Sequence, residues 1–383
     1  MISTQEAFRL IQQHGLRKRP QRVAFQDAWG CQLAEDLRAD MPLPPFDRVM
    51  MDGIAVRFSE IEAGCRQFTI AGIQAAGQPA LTLPTGEHCL EVMTGAVCPL
   101  NADTIAPYEH LTIASGVAHV NILPERIGKN IHPMGSDRKK GDVLVESGSM
   151  IGPAEIGVAA SIGAAELEVY PKPSIAICST GDELVDVQEK PLSHQIRRSN
   201  VYAIQAALRA NGYSATVHHV RDDQERIARY YQSELSKADI VIWSGGVSAG
   251  KFDYIPQVMQ SMGVQEIFHR IEQRPGKPMW FGVSASQTVF GLPGNPISTL
   301  ACLCRYILPW LRTTKHDTVA RVLQLPAPHA KLALLVPVTR DEHGEYVALS
   351  HRGSGDFSAL AGLIGFAEFK QADEFLNIFH VSA

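Results

Sequence analysis

The spacing of apolar residues changes several times along this chain, and each change predicts a different element. Ser3-x-x-Glu6 precedes Ala7, Phe8 and Ile11 on one helical face, a capping-box start for a helix that Gly15 would stop. A second short helix is expected over 33–37. Met41-Pro42-Leu43-Pro44-Pro45 then breaks the chain. From 46 to 137 short β-type runs (68–70, 81–83, 119–122) alternate with Gly/Pro turns and no helical period persists, which predicts an inserted all-β domain. Over 138–171 the pattern is mixed, with Pro153 placed to open a helix.

From 174 the rhythm is strand then helix. Strands are expected at 175–178, 215–220 and 240–243. Helices are expected at 201–209 (capped by Ser199 or Asn200), 224–237 (capped by Asp222 or Asp223), 254–262 and 296–311. That alternation predicts a doubly wound α/β domain, a parallel sheet with helices on both faces. After Thr314 the pattern returns to β at 332–338, 345–349 and 375–381, read as a small separate β module.

Composition narrows the classes. At 383 residues, two to four domains are expected. A net charge of −5 argues against a dedicated nucleic-acid binder while leaving room for a local basic pocket. The 45% hydrophobic content fits a globular chain. No apolar run approaches the ~20 residues of a membrane span. The N-terminus lacks the basic start and apolar block of a secretory signal. Seven cysteines, at 31, 65, 89, 98, 178, 302 and 304, are scattered without a C-x-x-C pair, so neither a zinc site nor a disulfide framework is expected. Cys302 and Cys304 read as buried thiols in a helix. These features together predict a cytoplasmic protein.

The candidate chemistry lies at the carboxyl ends of the predicted strands, where open α/β sheets bind ligands. Ser179-Thr180-Gly181-Asp182-Glu183, Arg221-Asp222-Asp223, the loop 244–253 beginning Ser244-Gly245-Gly246-Val247-Ser248, and Gly291-Leu292-Pro293-Gly294-Asn295-Pro296 follow four strands in turn. Glycines let backbone N–H groups line up on anionic oxygens, and Ser244 and Ser248 add hydroxyl donors. Asp182, Glu183, Asp222 and Asp253 suit Mg²⁺ held by one or two carboxylates plus substrate oxygens. Arg274-Pro275-Gly276-Lys277-Pro278 offers two cations in a rigid turn for an oxyanion. A nucleotide or phosphorylated heterocycle with a divalent ion is the expected ligand. Plainer roles stand beside these. Asp223 suits a helix cap, Lys251 a solvated charge, His218-His219 a packed or surface pair and Trp280 the core.

Taken together, the motifs resemble the MoeA-type molybdopterin molybdenumtransferase family, related to the gephyrin E-domain. The resemblance rests on Pro44-Pro45-Phe46-Asp47, Met51-Asp52-Gly53-Ile54-Ala55, Met93-Thr94-Gly95-Ala96, the Ser-Thr-Gly-Asp-Glu-Leu run 179–184, the Ser-Gly-Gly-Val-Ser run with Asp253-Tyr254, and the turns 275–278 and 291–296. It covers about residues 1 to 314, with the last seventy matching only in general character. It implies a multidomain α/β plus β fold: a discontinuous linker domain (1–45 and 138–171), an inserted β-domain (46–137), a nucleotide-site domain (172–314) and a C-terminal β-barrel (315–383). It also implies a homodimer that uses Mg²⁺ to insert molybdate into adenylylated molybdopterin and release AMP, with a MogA-like adenylyltransferase as partner and no nucleic acid or membrane.

The resemblance further implies roles. Asp222, Asp253 and Glu183 would take the metal. Ser179, Thr180, Gly181, Asp182, Ser244, Gly245, Gly246, Ser248, Pro293, Asn295 and Pro296 would bind substrate, with Asp137. Arg274 and Lys277 would hold molybdate or a phosphate. Asp52 and Thr94 would complete the cleft from the other subunit's β-domain. Two departures stand out: Val49-Met50 where the family has smaller residues, and Arg198-Ser199-Asn200 where it has an acid before Ser/Thr-Asn. A non-catalytic scaffold and a MogA-like adenylyltransferase are the alternative readings.

Overall fold

The computed structural model of the chain describes residues 1–15, 19–248, 250, 253–312, 318–370 and 375–382. Lys251 lies outside the described residues. Two compact units form: Gln21–Val169, and Met1–Pro20 with Tyr170–Ala383.

The larger unit is organised by a six-stranded sheet. Its strands are β1 (Ile175–Thr180), β2 (Ala215–Val220), β3 (Ile240–Ser244), β4 (Gln265–His269), β5 (Trp280–Val283) and β6 (Thr288–Leu292), in the order β2-β1-β3-β6-β5-β4. β2, β1, β3 and β6 are parallel, whereas β5 runs antiparallel to both β6 and β4. Side chains alternate across β1. Ile175 and Ile177 join a core with Val201, Ile204 and Leu208 of helix Asn200–Ala210. Ala176 and Cys178 join another with Ile227 of helix Gln224–Tyr230 and with Val258 and Met259 of helix Ile255–Ser261. Both faces are therefore covered, which is why these strands read as unbroken apolar runs. Trp280 is wholly buried, in the core role. The expected helix over 224–237 passes into a wider π turn, Tyr231–Leu235. The run 296–311 contains another at Leu303–Ile307. Cys302 and Cys304 are buried there, and burial pushes the Cys304 thiol up to about 12.

Helix Thr4–His14 also joins this unit, burying Ala7 and Ile11. Ser3 Oγ accepts from the Glu6 N–H at 3.1 Å, half of the expected capping box. The other half is replaced, because Glu6 turns to Arg9 (Nε to Oε2, 2.7 Å). Gly15 ends the helix, its N–H donating to Ile11 O at 2.8 Å.

A seven-stranded sheet completes the unit. It runs Thr318–Ala320, Leu376–His380, Gly365–Phe369, Ala333–Arg340, Tyr346–Ala348, Val322–Leu323, and Gln273–Arg274 pairs with Ala333–Arg340 in parallel. Its two end strands are separated only by Arg321, so the sheet curls into a nearly closed barrel. Arg305 joins helix to sheet, its Nε donating to Glu368 Oε2 at 2.6 Å with both side chains about nine-tenths buried. The same guanidinium lies 4.5 Å from the Phe379 ring centroid.

The smaller unit holds a three-stranded sheet of Gln21–Ala24, Glu166–Tyr170 and Gln32–Leu33, backed by helix Pro153–Ser161. It also holds a six-stranded sheet ordered Thr104–Pro107, Gly53–Val56, His88–Val92, Gln67–Gln74, Val117–Val120, Leu111–Ala114. The helix expected over 33–37 does not form. Gln32–Leu33 and Leu37–Arg38 are strands, the second paired with Val143–Val145. Five residues are too few to offset helix nucleation when strand partners are at hand. Of 81–83, only Thr82 makes a β-bridge, to Leu100. One short helix, Phe58–Glu62, interrupts the otherwise β-rich stretch. Among the described residues, no helix is long and apolar enough to cross a membrane.

Candidate active site

The loops after β1, β2, β3 and β6 meet at one end of the sheet, beside a cavity of about 1690 Å³. Ser179, Thr180, Glu183, Asp222, Ser244, Gly245, Gly246, Ser248 and Asp253 line it, as do Arg274, Lys277, Pro293, Asn295 and Pro296. The topology explains the convergence. Parallel strands all present their carboxyl ends to the same side, so loops scattered from 179 to 296 become neighbours.

Local conformation explains the glycines. Gly245 and Gly246 have φ of 99° and 69°, a left-handed stretch that favours glycine. A Cβ on Gly246 would come within 2.8 Å of both Thr180 Cγ2 and Ile255 Cγ1, so this turn packs tightly over the end of β1. Gly181 has φ 145°, and a Cβ there would strike the Glu183 carboxylate at 2.7 Å. The backbone can thus come close to anionic oxygens at two adjacent strand ends. In the Pro275-Gly276-Lys277 turn, Gly276 has φ 90°, and a Cβ there would meet Cys302 Sγ at 2.6 Å. That turn follows directly from the Gln273–Arg274 strand, so that exposed Arg274, from the strand, and exposed Lys277, from the turn, both line the cavity.

The acids form one electrostatic group. Asp222 is half-buried and accepts the Thr180 hydroxyl. Burial pushes its carboxyl above the usual aspartate range. The Thr180 bond opposes this, and the negative charges of Glu183, Asp182 and Asp253 add to the rise. Asp253 Oδ2 accepts the Gly250 N–H at 2.6 Å. Asp182 is exposed and, like Gly181, is not among the residues that line the cavity; it acts on Asp222 through its charge. Asp223 is a helix cap, accepting the Arg226 N–H at 2.8 Å. Among the described residues, no three His, Cys, Asp or Glu side chains make a ready-built metal cage. A group of acids in which Asp222 resists ionisation suits a hard divalent cation, held by one or two carboxylates plus ligand oxygens.

Two sequence-predicted residues meet in the smaller unit. Asp52 Oδ1 accepts the Thr94 N–H at 2.6 Å and the Thr94 hydroxyl at 2.7 Å, and these bonds hold the exposed Asp52 carboxyl below its usual range. Gly53 follows because a Cβ there would lie 2.0 Å from Ala106 O in the neighbouring strand. Asp137, in the same unit, bonds His132 Nε2 at 2.8 Å.

Several cavity residues escaped sequence reasoning. Gln324, Pro326, His329, Ser350, His351 and Ser354 of the C-terminal sheet region line it. Asn295 Nδ2 donates to Ser354 Oγ at 2.9 Å, tying the β6 loop to that region. The turn residues at 326–328 and 353–355 were the available signal. Asn200, expected as a cap, instead spans two loops, its Nδ2 donating to Gly294 O at 2.6 Å and to Ser244 Oγ at 3.2 Å. Ser199 occupies the cap position without a side-chain cap bond. His218 and His219 are packed, His218 against Tyr230 OH (3.0 Å) and His219 against Ser179 Oγ (3.0 Å). Burial holds the His219 imidazole below its usual range.

Comparison with known proteins gives two family matches. Residues 2–163 match the MoeA N-terminal region (domain I and II), and residues 176–313 match a probable molybdopterin binding domain. A molybdopterin molybdenumtransferase from Synechocystis sp. is 40% identical over 382 residues, covering 97% of this chain and 96% of the relative. One from Haemophilus influenzae is 32% identical over 303 residues, covering 79% and 74%. The crystal structure of a molybdopterin biosynthesis MoeA protein from Pyrococcus horikosii matches with a TM-score of 0.84 at 26% identity, over all of both chains.

Proposed function

The chain belongs to the molybdopterin molybdenumtransferase family, and from that premise we propose that it inserts molybdate into adenylylated molybdopterin, with Mg²⁺, and releases AMP. It is a transferase of molybdenum cofactor biosynthesis. The observation that carries the finer reading is the acid cluster beside the glycine turns: a backbone surface suited to phosphate stands next to a group of acids in which the Asp222 charge is disfavoured. Asp222 and Asp253, with Glu183, are the groups that would hold Mg²⁺. When bound, that ion supplies Lewis-acid neutralisation of phosphate charge. Gly245 and Gly246 cradle the phosphates. Ser179, Thr180, Ser244 and Ser248 add hydroxyls, and Pro293, Asn295 and Pro296 shape the wall. Arg274 and Lys277 hold the incoming oxyanion against the breaking phosphoanhydride. The protein's share is orientation and charge compensation.

The same reading takes the reaction to be cytoplasmic, and the chain to be a homodimer supplied by a MogA-like adenylyltransferase. Asp52, Thr94 and Asp137 enter it as substrate-facing groups of the smaller unit. The deciding experiment mixes purified protein with adenylylated molybdopterin, molybdate and Mg²⁺, and follows AMP and metal-bound pterin together. Molybdate-dependent AMP release with metal insertion is the expected result. Tight binding with no AMP release would replace this reading with a scaffold.

A further inference from the structure

The larger unit contains two pairs of the same chemistry, each a buried tyrosine hydroxyl on a buried glutamine. In one, Tyr231 OH donates to Gln287 Oε1, and Gln287 Nε2 donates to Leu235 O at 2.8 Å and to Ala238 O at 2.7 Å. Neither of those side chains lines the cavity. In the other, Tyr306 OH donates to Gln273 Oε1, and Gln273 Nε2 donates to Pro275 O at 3.1 Å and to Cys302 Sγ at 3.4 Å. The Pro275 carbonyl can only accept, which fixes the amide nitrogen and leaves Oε1 to the tyrosine. Cys302 Sγ in turn donates to Gly276 O at 3.5 Å. Gln273, Cys302 and Tyr306 are all wholly buried. The two carbonyls they hold lie between Arg274 and Lys277. A Cβ on Gly276 would come within 2.5 Å of Gln273 Nε2 and 2.6 Å of Cys302 Sγ, so the turn rests directly on these groups. Ile271 N–H closes the turn, donating to Lys277 O at 2.9 Å.

An amide and a hydroxyl buried in an apolar core cost free energy that apolar side chains would not. Fully bonded, such a network selects one arrangement of the groups it touches. Here those groups are the backbone of the turn that carries the two cavity cations. We propose that Gln273, Tyr306 and Cys302 are positioning residues for the oxyanion, clamping the turn so that Arg274 and Lys277 leave the backbone at fixed points. They act through Pro275 O and Gly276 O. A turn already ordered loses less freedom when a small anion binds to it. The clamp rests on the role proposed above for Arg274 and Lys277.

The test uses the full chain and two readouts: the molybdate dependence of AMP release, and backbone hydrogen exchange over 270–280. Tyr306→Phe leaves Gln273 Oε1 buried without its donor. Tyr231→Phe does the same to Gln287 Oε1 and is the control for lost stability. Both variants are expected to melt lower than wild type. Only Tyr306→Phe is expected to raise the KM for molybdate, by roughly fivefold, and to speed exchange over 270–280, with kcat and Mg²⁺–AMP affinity unchanged. Gln273→Leu combined with Tyr306→Phe replaces both partners by apolar groups of similar shape. It is expected to melt no lower than Tyr306→Phe and to keep the raised KM, which a merely structural role would not produce. An unchanged KM or unchanged exchange in Tyr306→Phe would overturn the clamp. So would an equal rise in KM in Tyr231→Phe, or a wild-type KM in the double variant. Wild-type turnover alongside any of these results would leave the proposed function standing. Absence of molybdate-dependent turnover in wild type would remove that function, and the clamp's part in it.

Discussion

Asp222 and Asp52 each accept a threonine hydroxyl, from Thr180 and Thr94, yet their carboxyls are driven in opposite directions. Asp52 is exposed and also takes a backbone N–H, so its charge is favoured. Asp222 is half-buried with three other acids acting on it, so its charge is resisted. The same pair of side chains thus makes a self-sufficient turn in one unit and, in the other, sits in a crowded acid group for which a cation is proposed. The side-chain pair does not decide the difference; burial and neighbouring charge do.

The strongest way to break that contrast is Asp222→Asn. It is expected to lower molybdate-dependent AMP release by about a hundredfold or more, the scale of losing a group that compensates phosphate charge. The same variant is expected to melt higher than wild type in the absence of divalent ions, because a disfavoured charge has gone. Retained turnover together with a lower melting temperature would end the comparison.

Magnesium gives the next effect. Adding it should raise the melting temperature of wild-type protein by several degrees at ligand excess. Asp222→Asn should lose most of that rise, and Asp52→Asn should keep it. Equal Mg²⁺ responses in all three proteins would show that the acid cluster does not hold the ion.

The pH dependence has opposite signs at the two sites. Asp222 has a folded pKa above its unfolded one, so the folded state holds its proton longer. Its contribution to stability falls as pH rises from the ordinary aspartate range toward the raised value. Asp52 has a folded pKa below its unfolded one. Its contribution is present above the unfolded value and is lost as pH falls through the lowered one. Urea melts between pH 3 and 7 should therefore show the Asp222→Asn difference growing with pH as a gain, and the Asp52→Asn difference growing as a loss. Parallel curves would refute the assignment.

The smallest effect sharpens the same point. Thr180→Val and Thr94→Val each remove a hydroxyl that lowers its partner's pKa, so both carboxyls should move up when titrated by NMR. Asp52 should stay below the usual range, since the Thr94 N–H remains.

Much of the cavity lining was legible because glycine and acid motifs recur at successive strand ends, and parallel topology brings such ends together. Period-2 and period-3.6 patterns located β1, β2, β3 and the helices between them. The motifs containing Asp52 and Thr94 were read separately, and the structure joins them through hydrogen bonds. Short elements were less legible. A five-residue run such as 33–37 carries too few positions to distinguish strand from helix, and its partners lie over a hundred residues away at 143–145 and 166–170. The lining residues from 324 to 354 were also hidden, since composition gives no sign of which turns of a distant sheet will face a cavity. Asn200 looked like a cap because the helix begins there, and only the positions of Gly294 and Ser244 reveal its other bonds.

The parallel pairing of Gln273–Arg274 with Ala333–Arg340 carries a consequence for how this protein can change over generations. Arg274 stands in a strand that pairs through its backbone with the tail, and such bonds are indifferent to most side chains. The tail is therefore free to exchange its letters widely while remaining bound to its register. A deletion of a single residue within that strand would do more harm to the distant turn than many substitutions along it, and a chain that shed the tail would have to find another way to aim Arg274.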